Sequence, residues 1–369
     1  MIRLAAVIDT FEADFRAQYR DRLLPEHTRA LAAMKRCRTA LSRKMQVQCT
    51  GCDHQLLVPH SCGHRHCPHC QHHESQQWLE RQLNKQVPAA YFMLTFTLPA
   101  EFRPLARAHQ RVVYELLMRS CWETVHSFSR NDRQLKGTPG AIAVLHTNTR
   151  QLDYHPHVHL VMPAAAVDGA RKQWRTKVGG KAGGGYLFNH TALAKVFRAK
   201  MLAGIEAAGL SLPARYPTAW VVDCKSVGSG EKALVYLGRY LYRGVIREKD
   251  IVACTGTTVT FAYQDAKSGK TERRTVSGAD FLWLVLQHVL PKGFRRARNY
   301  GFLHPNCKRL IALLHLLLRV VPRVAGAWFR ARAPILCPCC GAVMAIVKTR
   351  LRSVFREAVP VPIVTVQAC

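Results

Sequence analysis

The 369-residue chain is predicted to be an α+β protein, in which an antiparallel sheet flanked by helices follows a small zinc-ribbon domain. Two Cys-x2-Cys pairs near the N-terminus are typical of a zinc ribbon. Short alternating apolar segments indicate strands, and stretches of helical periodicity separate them. Hydrophobic residues make up 48% of the chain, enough for a sizeable core, which excludes wholesale disorder.

Along the chain these patterns predict four segments. Residues 1–36 form a basic helical segment, 37–75 a zinc-binding ribbon, 88–303 the main α+β domain, and 304–369 a basic C-terminal helix with a Cys-rich tail. Within the main domain, the alternating run 91–98 predicts a strand that stops at Pro99, and helices follow over 103–127.

The charge balance indicates a polyanionic partner. There are 54 Lys and Arg against 23 Asp and Glu, a formal net charge of +31. Such an excess favours nucleic acid, and a merely soluble basic enzyme is the alternative. No G-x4-G-K-[ST] motif occurs, so no nucleotide cofactor is expected.

We expect a cytoplasmic protein, associated with the bacterial nucleoid, that contacts no membrane. No signal peptide is recognisable at the N-terminus. The longest apolar run, 310–321, is interrupted by His315 and Arg319 and is too short to span a bilayer, so it predicts a buried helix. In a reducing cytoplasm the 14 cysteines indicate metal ligands or buried thiols.

The paired cysteines predict structural zinc. Fourteen residues separate Cys49-x2-Cys52 from Cys67-x2-Cys70, and we expect these four thiolates to bind one tetrahedral Zn²⁺. Four nearby residues are candidates for a second site or as substitute ligands: Cys37, Cys62, His64 and His66.

A later knuckle, Cys337-Pro-Cys339-Cys340, has no distal pair. We expect that only Cys307 or Cys369 is available to complete it. A turn of buried thiols is the alternative, because one knuckle makes half a site.

The segment 144–162 predicts a β-hairpin that carries a metal site. His157 and His159 share a face, because side chains alternate along a strand. A turn at 150–153 that pairs Thr149 with Tyr154 brings His146 opposite His157. Neutral imidazole is a common metal ligand, so three of them form a divalent-metal site with open positions. The alternative is a polar sheet face with scattered histidines.

Residues 231–243 predict an amphipathic helix with two tyrosines one turn apart on one face, Tyr236 and Tyr240. Arg239 and Arg243 form a second i,i+4 pair beside them. A tyrosine hydroxyl, with a free pKa of about 10, becomes a nucleophile when cations stabilise its phenolate and a metal activates the electrophile. Without the histidine hairpin, the two tyrosines would be interpreted as aromatic residues that only pack the helix against its neighbours.

Taken together, the zinc segment, the His-hydrophobic-His strand and the paired-tyrosine helix resemble the rolling-circle insertion-sequence transposases of the two-tyrosine HUH nuclease superfamily. The resemblance covers roughly residues 30 to 345. The matching segments are Ser61–Gln71, Tyr91–Pro99, His155–Val161, Tyr236–Tyr240, His288–Phe294 and Arg298–Phe302.

The resemblance implies an HUH-nuclease sheet, in which His157 and His159 bind catalytic Mg²⁺ or Mn²⁺ and Tyr236 and Tyr240 are the nucleophiles. His146 as third ligand rests on the hairpin argument. The implied activity is a DNA endonuclease and strand transferase that mobilises an insertion sequence through a 5′-phosphotyrosine link. Its partners would be the single-stranded ends of its own element and target DNA.

Basic residues are expected to serve that reaction. Arg239 and Arg243 would stabilise developing charge. The expected DNA contacts are Lys232, Lys292, Arg295, Arg296 and Arg298. The order of attack by the two tyrosines and the oligomeric state stay open.

Three alternatives remain at this point. One is a replication initiator of the same superfamily, which shares the nick. The second is a non-catalytic zinc-ribbon DNA-binding regulator, which predicts DNA affinity without a covalent adduct. The third is a metallohydrolase that uses His155, His157 and His159, although it lacks the further Asp-His pair expected of such sites.

Overall fold

The computed structural model describes residues 2–68, 70, 72–177, 186–241, 244–266, 268–321 and 334–351. Nine helices lie in these ranges: α1 Leu4–Gln18, α2 Pro25–Arg36, α3 His72–Leu83, α4 Arg103–Ala108, α5 Gln110–Asn131, α6 His190–Ala207, α7 Glu231–Leu241, α8 Gly278–Leu286 and α9 Lys308–Leu317. None of them is long and apolar enough to cross a membrane.

The same ranges contain thirteen strands: β1 Lys44–Cys49, β2 Gln55–Pro59, β3 Tyr91–Thr97, β4 Thr138–Asn148, β5 Tyr154–Pro163, β6 Ala165–Asp168, β7 Gln173–Thr176, β8 Val222–Ser226, β9 Ile251–Cys254, β10 Thr258–Gln264, β11 Thr271–Ser277, β12 Ala297–Gly301 and β13 Met344–Leu351. They form one seven-stranded sheet and two three-stranded sheets. Their pairings are antiparallel, so the α+β prediction is confirmed.

The seven-stranded sheet has the order β7-β6-β4-β5-β3-β8, and β12 also pairs with β4. Helices α5 and α6 cover one face, where alternate strand residues such as Leu94, Phe96 and Leu160 are fully buried. This alternation is what the run 91–98 predicted, and the strand ends before Pro99 as expected.

Helices α3 and α7 cover the opposite face. Leu234 and Leu237 of α7 join Val144 and Val161 of the sheet in one buried cluster. Gly230 precedes α7 at φ +80°, where a Cβ would lie 2.6 Å from the Tyr91 ring, so only glycine fits this turn. Because strand residues alternate, the face that carries residues 144 and 161 also carries residues 146, 157 and 159.

The hairpin between β4 and β5 has the predicted histidine register, with His146 opposite His157. The predicted pairing of Thr149 with Tyr154 is wrong, because a bulge follows His146 and Asn148 takes that place. The turn needs no glycine, since Leu152 itself adopts φ +68°.

A second buried cluster joins α1, α2 and α8 to the sheet of β9, β10 and β11. The third sheet has the order β13-β1-β2, so residues near both ends of the chain share it. Helix α9 corrects one expectation: Leu316 and Leu317 are 76% and 67% exposed, because Ile311 and Leu314 face the core instead.

Candidate active site

Three imidazoles converge on the face of the sheet that α7 covers. The ring centroids of His146 lie 5.2 Å from those of His157 and 4.4 Å from those of His159. The His157 and His159 centroids are 4.9 Å apart. One ring nitrogen of each lies within 4.8 Å of the others, a spacing that one metal ion can bridge.

Hydrogen bonds orient the two β5 histidines. The His157 Nδ1 donates to the carbonyl oxygen of His155 at 2.7 Å, which leaves Nε2 with its lone pair. The His159 Nδ1 lies 3.0 Å from the Thr95 hydroxyl on the neighbouring strand. Such partners on the second nitrogen are typical of metal-binding histidines.

Burial keeps all three rings neutral. It lowers the pKa of His146 well below the usual 6.5, and the neighbouring histidines lower it further. It also lowers the pKa of His157 to about 3 and that of His159 to about 4, the latter opposed by the Asp223 carboxylate. The His146 Nε2 is buried and, among the described residues, has no hydrogen-bond partner. Neutral rings with one nitrogen unused are a donor set that fits a divalent cation.

Both the ring and the hydroxyl of Tyr240 make contacts that hold this residue against the histidine centre. Its ring stacks on His146 with centroids 3.3 Å apart. Its hydroxyl donates to the Asn148 Oδ1 at 2.5 Å and accepts from the Thr147 N–H at 3.2 Å. The Arg296 guanidinium lies 4.8 Å from the ring centroid.

Tyr236 lies one turn earlier and is held less tightly. Its ring centroid is 6.0 Å from that of His159, and the residue is 50% exposed. Within the described parts of the chain its hydroxyl makes no hydrogen bond. Burial and then the nearby Tyr240 raise the pKa of Tyr236, and the Arg150 guanidinium opposes the rise.

The basic residues predicted to accompany the tyrosines are described only in part. Lys232 and Arg239 are exposed on α7, and Arg243 lies outside the described residues. Among the described residues, Arg150 and Arg296 lie beside the tyrosines, and they come from the β4–β5 turn and from the segment before β12. Sequence reasoning missed Arg150 because it read those positions as a turn, and it assigned Arg296 only to DNA contact.

The predicted DNA-binding residues of the 292–298 loop separate into different environments. Lys292 and Arg295 are exposed, whereas Arg298 pairs with Glu115 at 2.7 Å. An open cleft of about 1060 Å³ beside β12 is lined by five basic residues, Arg81, Lys85, Arg295, Arg298 and Lys308. Burial lowers the pKa of Lys85, as do the nearby Arg81 and Lys308, so positive charge is concentrated there.

The predicted cysteine pairing is wrong. Cys67 and Cys70 cluster with Cys37 and Cys62, whereas the pair 49 and 52 lies elsewhere, with Cys337 and Cys340. The chain between residues 52 and 62 forms β2, which leads away from the first pair. The Cys70 Sγ lies 3.6 Å from that of Cys37 and 3.5 Å from that of Cys62, spacings that fit one tetrahedral zinc.

The candidate ligands His64 and His66 face backbone N–H groups. The His66 Nε2 accepts from the Leu290 N–H at 3.2 Å, and the His64 Nδ1 faces the His66 N–H. Cys307 points its thiol at the Gly301 carbonyl oxygen, and Cys369 lies outside the described residues. Among the described residues, the late knuckle lies with Cys49 and Cys52 and not with Cys307.

Comparisons with known proteins identify families and relatives that resemble this chain. Residues 140–310 match the family described as "Putative transposase", and residues 7–98 match the IS91-type "Transposase zinc-binding domain". The chain is similar to the "Putative transposase y4qJ" of Sinorhizobium fredii, at 32% identity over 81% of this chain and 80% of the relative. It is also similar to the "Transposase for insertion sequence element IS801" of Pseudomonas savastanoi pv. phaseolicola, at 29% identity over 68% of this chain and 63% of that relative.

Proposed function

Since the chain belongs to the IS91 family of transposases, we propose that it nicks and rejoins single-stranded DNA at the ends of its own element through a tyrosine-linked intermediate. The observation that carries this proposal is the juxtaposition of three neutral imidazoles with two tyrosines, Tyr236 and Tyr240, on the helix that covers them.

The three histidines would hold Mg²⁺ or Mn²⁺ through their remaining ring nitrogens. When bound, the cation supplies Lewis-acid polarisation of the scissile phosphate. The chain's own contribution is to keep His146, His157 and His159 neutral through burial and to fix the ring of His157 through the backbone carbonyl of His155.

Tyr236 is the better placed first nucleophile. The residue is half exposed and its hydroxyl makes no hydrogen bond within the described residues, whereas the Tyr240 hydroxyl is hydrogen-bonded to Asn148 and Thr147. The Tyr236 oxygen would bond to phosphorus and lose its proton, and the bond to the 3′ oxygen would break, leaving a 5′-phosphotyrosine and a protonated 3′-hydroxyl. Arg150 would favour the phenolate.

Tyr240 would take the second strand after a change of its hydrogen bonds. The phosphodiester energy is kept in the protein–DNA link, so strand joining needs no ATP. Arg296, above the Tyr240 ring, would stabilise negative charge at this position.

The basic cleft supplies a path for the DNA backbone. Consecutive residues connect it to the centre, because Arg296 contacts Tyr240 while Arg295 lines the cleft. Single strands suit such a cleft, and binding should weaken steeply with salt as phosphates are neutralised.

A covalent-adduct assay tests the proposal. Oligonucleotides that tile the element's ends, labelled at the 3′ end, are incubated with protein and Mn²⁺ and run on a denaturing gel. The expected result is a shifted band that carries the 3′ label, is lost with EDTA and is absent from the Tyr236→Phe/Tyr240→Phe variant and from His157→Ala. A 5′ label should stay on free DNA.

The opposite outcomes are equally clear. Tight DNA binding without an adduct in either Mg²⁺ or Mn²⁺ would favour the non-catalytic regulator. An adduct that survives in the double tyrosine variant would place the nucleophile elsewhere. Cleavage of DNA without any covalent band would favour a metallohydrolase.

A further inference from the structure

A second thiol cluster lies apart from the histidine centre, between the β1–β2 hairpin and the segment that leads into β13. Its members are Cys49, Cys52, Cys337 and Cys340. The Sγ of residue 49 lies 3.4 Å from that of residue 340, and the Sγ of residue 52 lies 3.7 Å from those of both 337 and 340. Zinc–sulfur bonds of about 2.3 Å place tetrahedral thiolates about 3.8 Å apart, whereas a disulfide joins sulfurs at about 2.05 Å.

The backbone of both loops points N–H groups at these sulfurs. In the first loop, Gly51 donates to the Cys49 Sγ at 3.3 Å and the backbone of His54 bonds to Cys52. In the second loop, the backbone of residues 339 and 340 bonds to Cys337, and that of Ala342 to Cys340. Such donors stabilise thiolates, which are the form that binds zinc.

The sheet around this cluster has little apolar core of its own. Among the described residues, Val47 and Met344 are its fully buried apolar side chains besides two of the cysteines, and a few others, such as Leu56 and Val58, are partly buried against them. Six consecutive residues of β13, from Ala345 to Arg350, are exposed. A three-stranded sheet with so few buried side chains needs a further source of stability, as small metal-binding domains do.

We propose that this cluster binds a second structural Zn²⁺, which fastens residues 335–351 to the N-terminal hairpin. The zinc-binding family match ends at residue 98 and the transposase match at residue 310, so half of these ligands lie beyond both. The other cluster, Cys37 with Cys62, Cys67 and Cys70, has four thiols without any from the C-terminal segment. The two sites therefore differ in what they require of the chain.

Zinc content of the full chain tests the proposal. Native mass spectrometry is performed on a His157→Ala/His159→Ala background, so that zinc in the histidine centre does not enter the count. Two zinc ions per chain are expected. One ion per chain would overturn the proposal.

Cysteine variants then assign the ions. Cys337→Ser/Cys340→Ser should retain one zinc, and Cys49→Ser/Cys52→Ser should retain the same single ion. Cys339→Ser is the matched control, because this exposed thiol lies in the same loop outside the cluster, and it should keep two. Two zinc ions in either double variant would refute the assignment.

A measurement on the unaltered chain guards against misfolded variants. Alkylation followed by peptide mass spectrometry should leave residues 49, 52, 337 and 340 protected while Cys339 reacts. Gradual chelation should expose those four together. Reaction of the 337–340 pair before chelation, with the 49–52 pair protected, would overturn the proposal. Neither readout depends on DNA cleavage, so its failure is distinct from a failure of the transposase mechanism.

Discussion

The unequal environments of the two tyrosines lead to the sharpest prediction. Tyr236→Phe removes a hydroxyl that makes no hydrogen bond among the described residues and is half exposed, so the free energy of unfolding should change by less than about 0.5 kcal/mol. Tyr240→Phe leaves the Asn148 side chain and the Thr147 N–H without their partner. A lost partner of this kind costs about 1–3 kcal/mol, and partial exposure favours the lower end.

Thermal melts and the adduct assay measured on the same samples separate stability from chemistry. Tyr236→Phe should melt like the unaltered chain yet form no first adduct. Tyr240→Phe should melt at a lower temperature and still form that adduct, but fail to transfer a second strand. Tyr186→Phe, at an exposed tyrosine outside the centre, is the matched control and should change neither.

The reverse pattern, in which Tyr236→Phe retains the first adduct and Tyr240→Phe loses it, would refute the assignment of Tyr236 as the first nucleophile. Equal adduct yields from both single variants would show that the hydrogen bonds on Tyr240 do not decide the order of attack.

Three further predictions concern a buried histidine of α2, the cation above Tyr240 and the basic cleft. Burial lowers the pKa of His27 from 6.5 to about 4, and its Nδ1 accepts from the Leu24 N–H, so the folded state needs the neutral ring. As pH falls, the unfolded chain binds a proton at this histidine before the folded chain does, so about 3 kcal/mol of stability should be lost between pH 6.5 and about pH 4. His27→Gln should therefore reduce the difference in melting temperature between pH 7 and pH 5. An unchanged difference would contradict this prediction. Arg296→Gln should slow adduct formation about tenfold, equivalent to 1.4 kcal/mol, with partial rescue by Arg296→Lys, and unchanged single-turnover rates would exclude the role. Lys85→Gln/Lys308→Gln should reduce the slope of log affinity against log salt for single-stranded DNA by about 1.4, as fluorescence anisotropy would show, whereas an unchanged slope would place the DNA elsewhere.

The sequence was most informative where chemistry follows a short period. Alternation alone placed His157 and His159 on one face, and counting back through the turn placed His146 beside them. The bulge after His146 and the positive φ of Leu152 were not predictable, because no turn motif in the sequence indicates either of them. The error stayed local, since the bulge lies on the turn side of the His146–His157 pair.

Long-range pairing was the part that local spacing could not determine. Cys49 and Cys52 looked closest in sequence to the pair at 67 and 70, yet their partners are nearly 300 residues away. The sequence of a Cys-x2-Cys pair does not indicate which second pair of cysteines joins it in one metal site. The strand pairing of β1 with β13 makes that choice, and it depends on where the chain returns after the main sheet is complete.

The same limit applies to the cations around the two tyrosines. Helical spacing shows only that Arg239 and Tyr236 are neighbours on the surface of one helix, and in the structure this arginine is exposed to solvent. The charges that face the two rings, Arg150 and Arg296, are brought there by a turn and by a strand that hydrogen-bonds to β4, where the Leu145 N–H donates to the Arg296 carbonyl oxygen. The position of a nucleophile is determined by the helix that carries it, whereas the electrostatic field at that nucleophile depends on the elements that pack against the helix. Variants at Arg296 therefore test the fold-derived part of the mechanism, and variants at Tyr236 test the part that the sequence already contained.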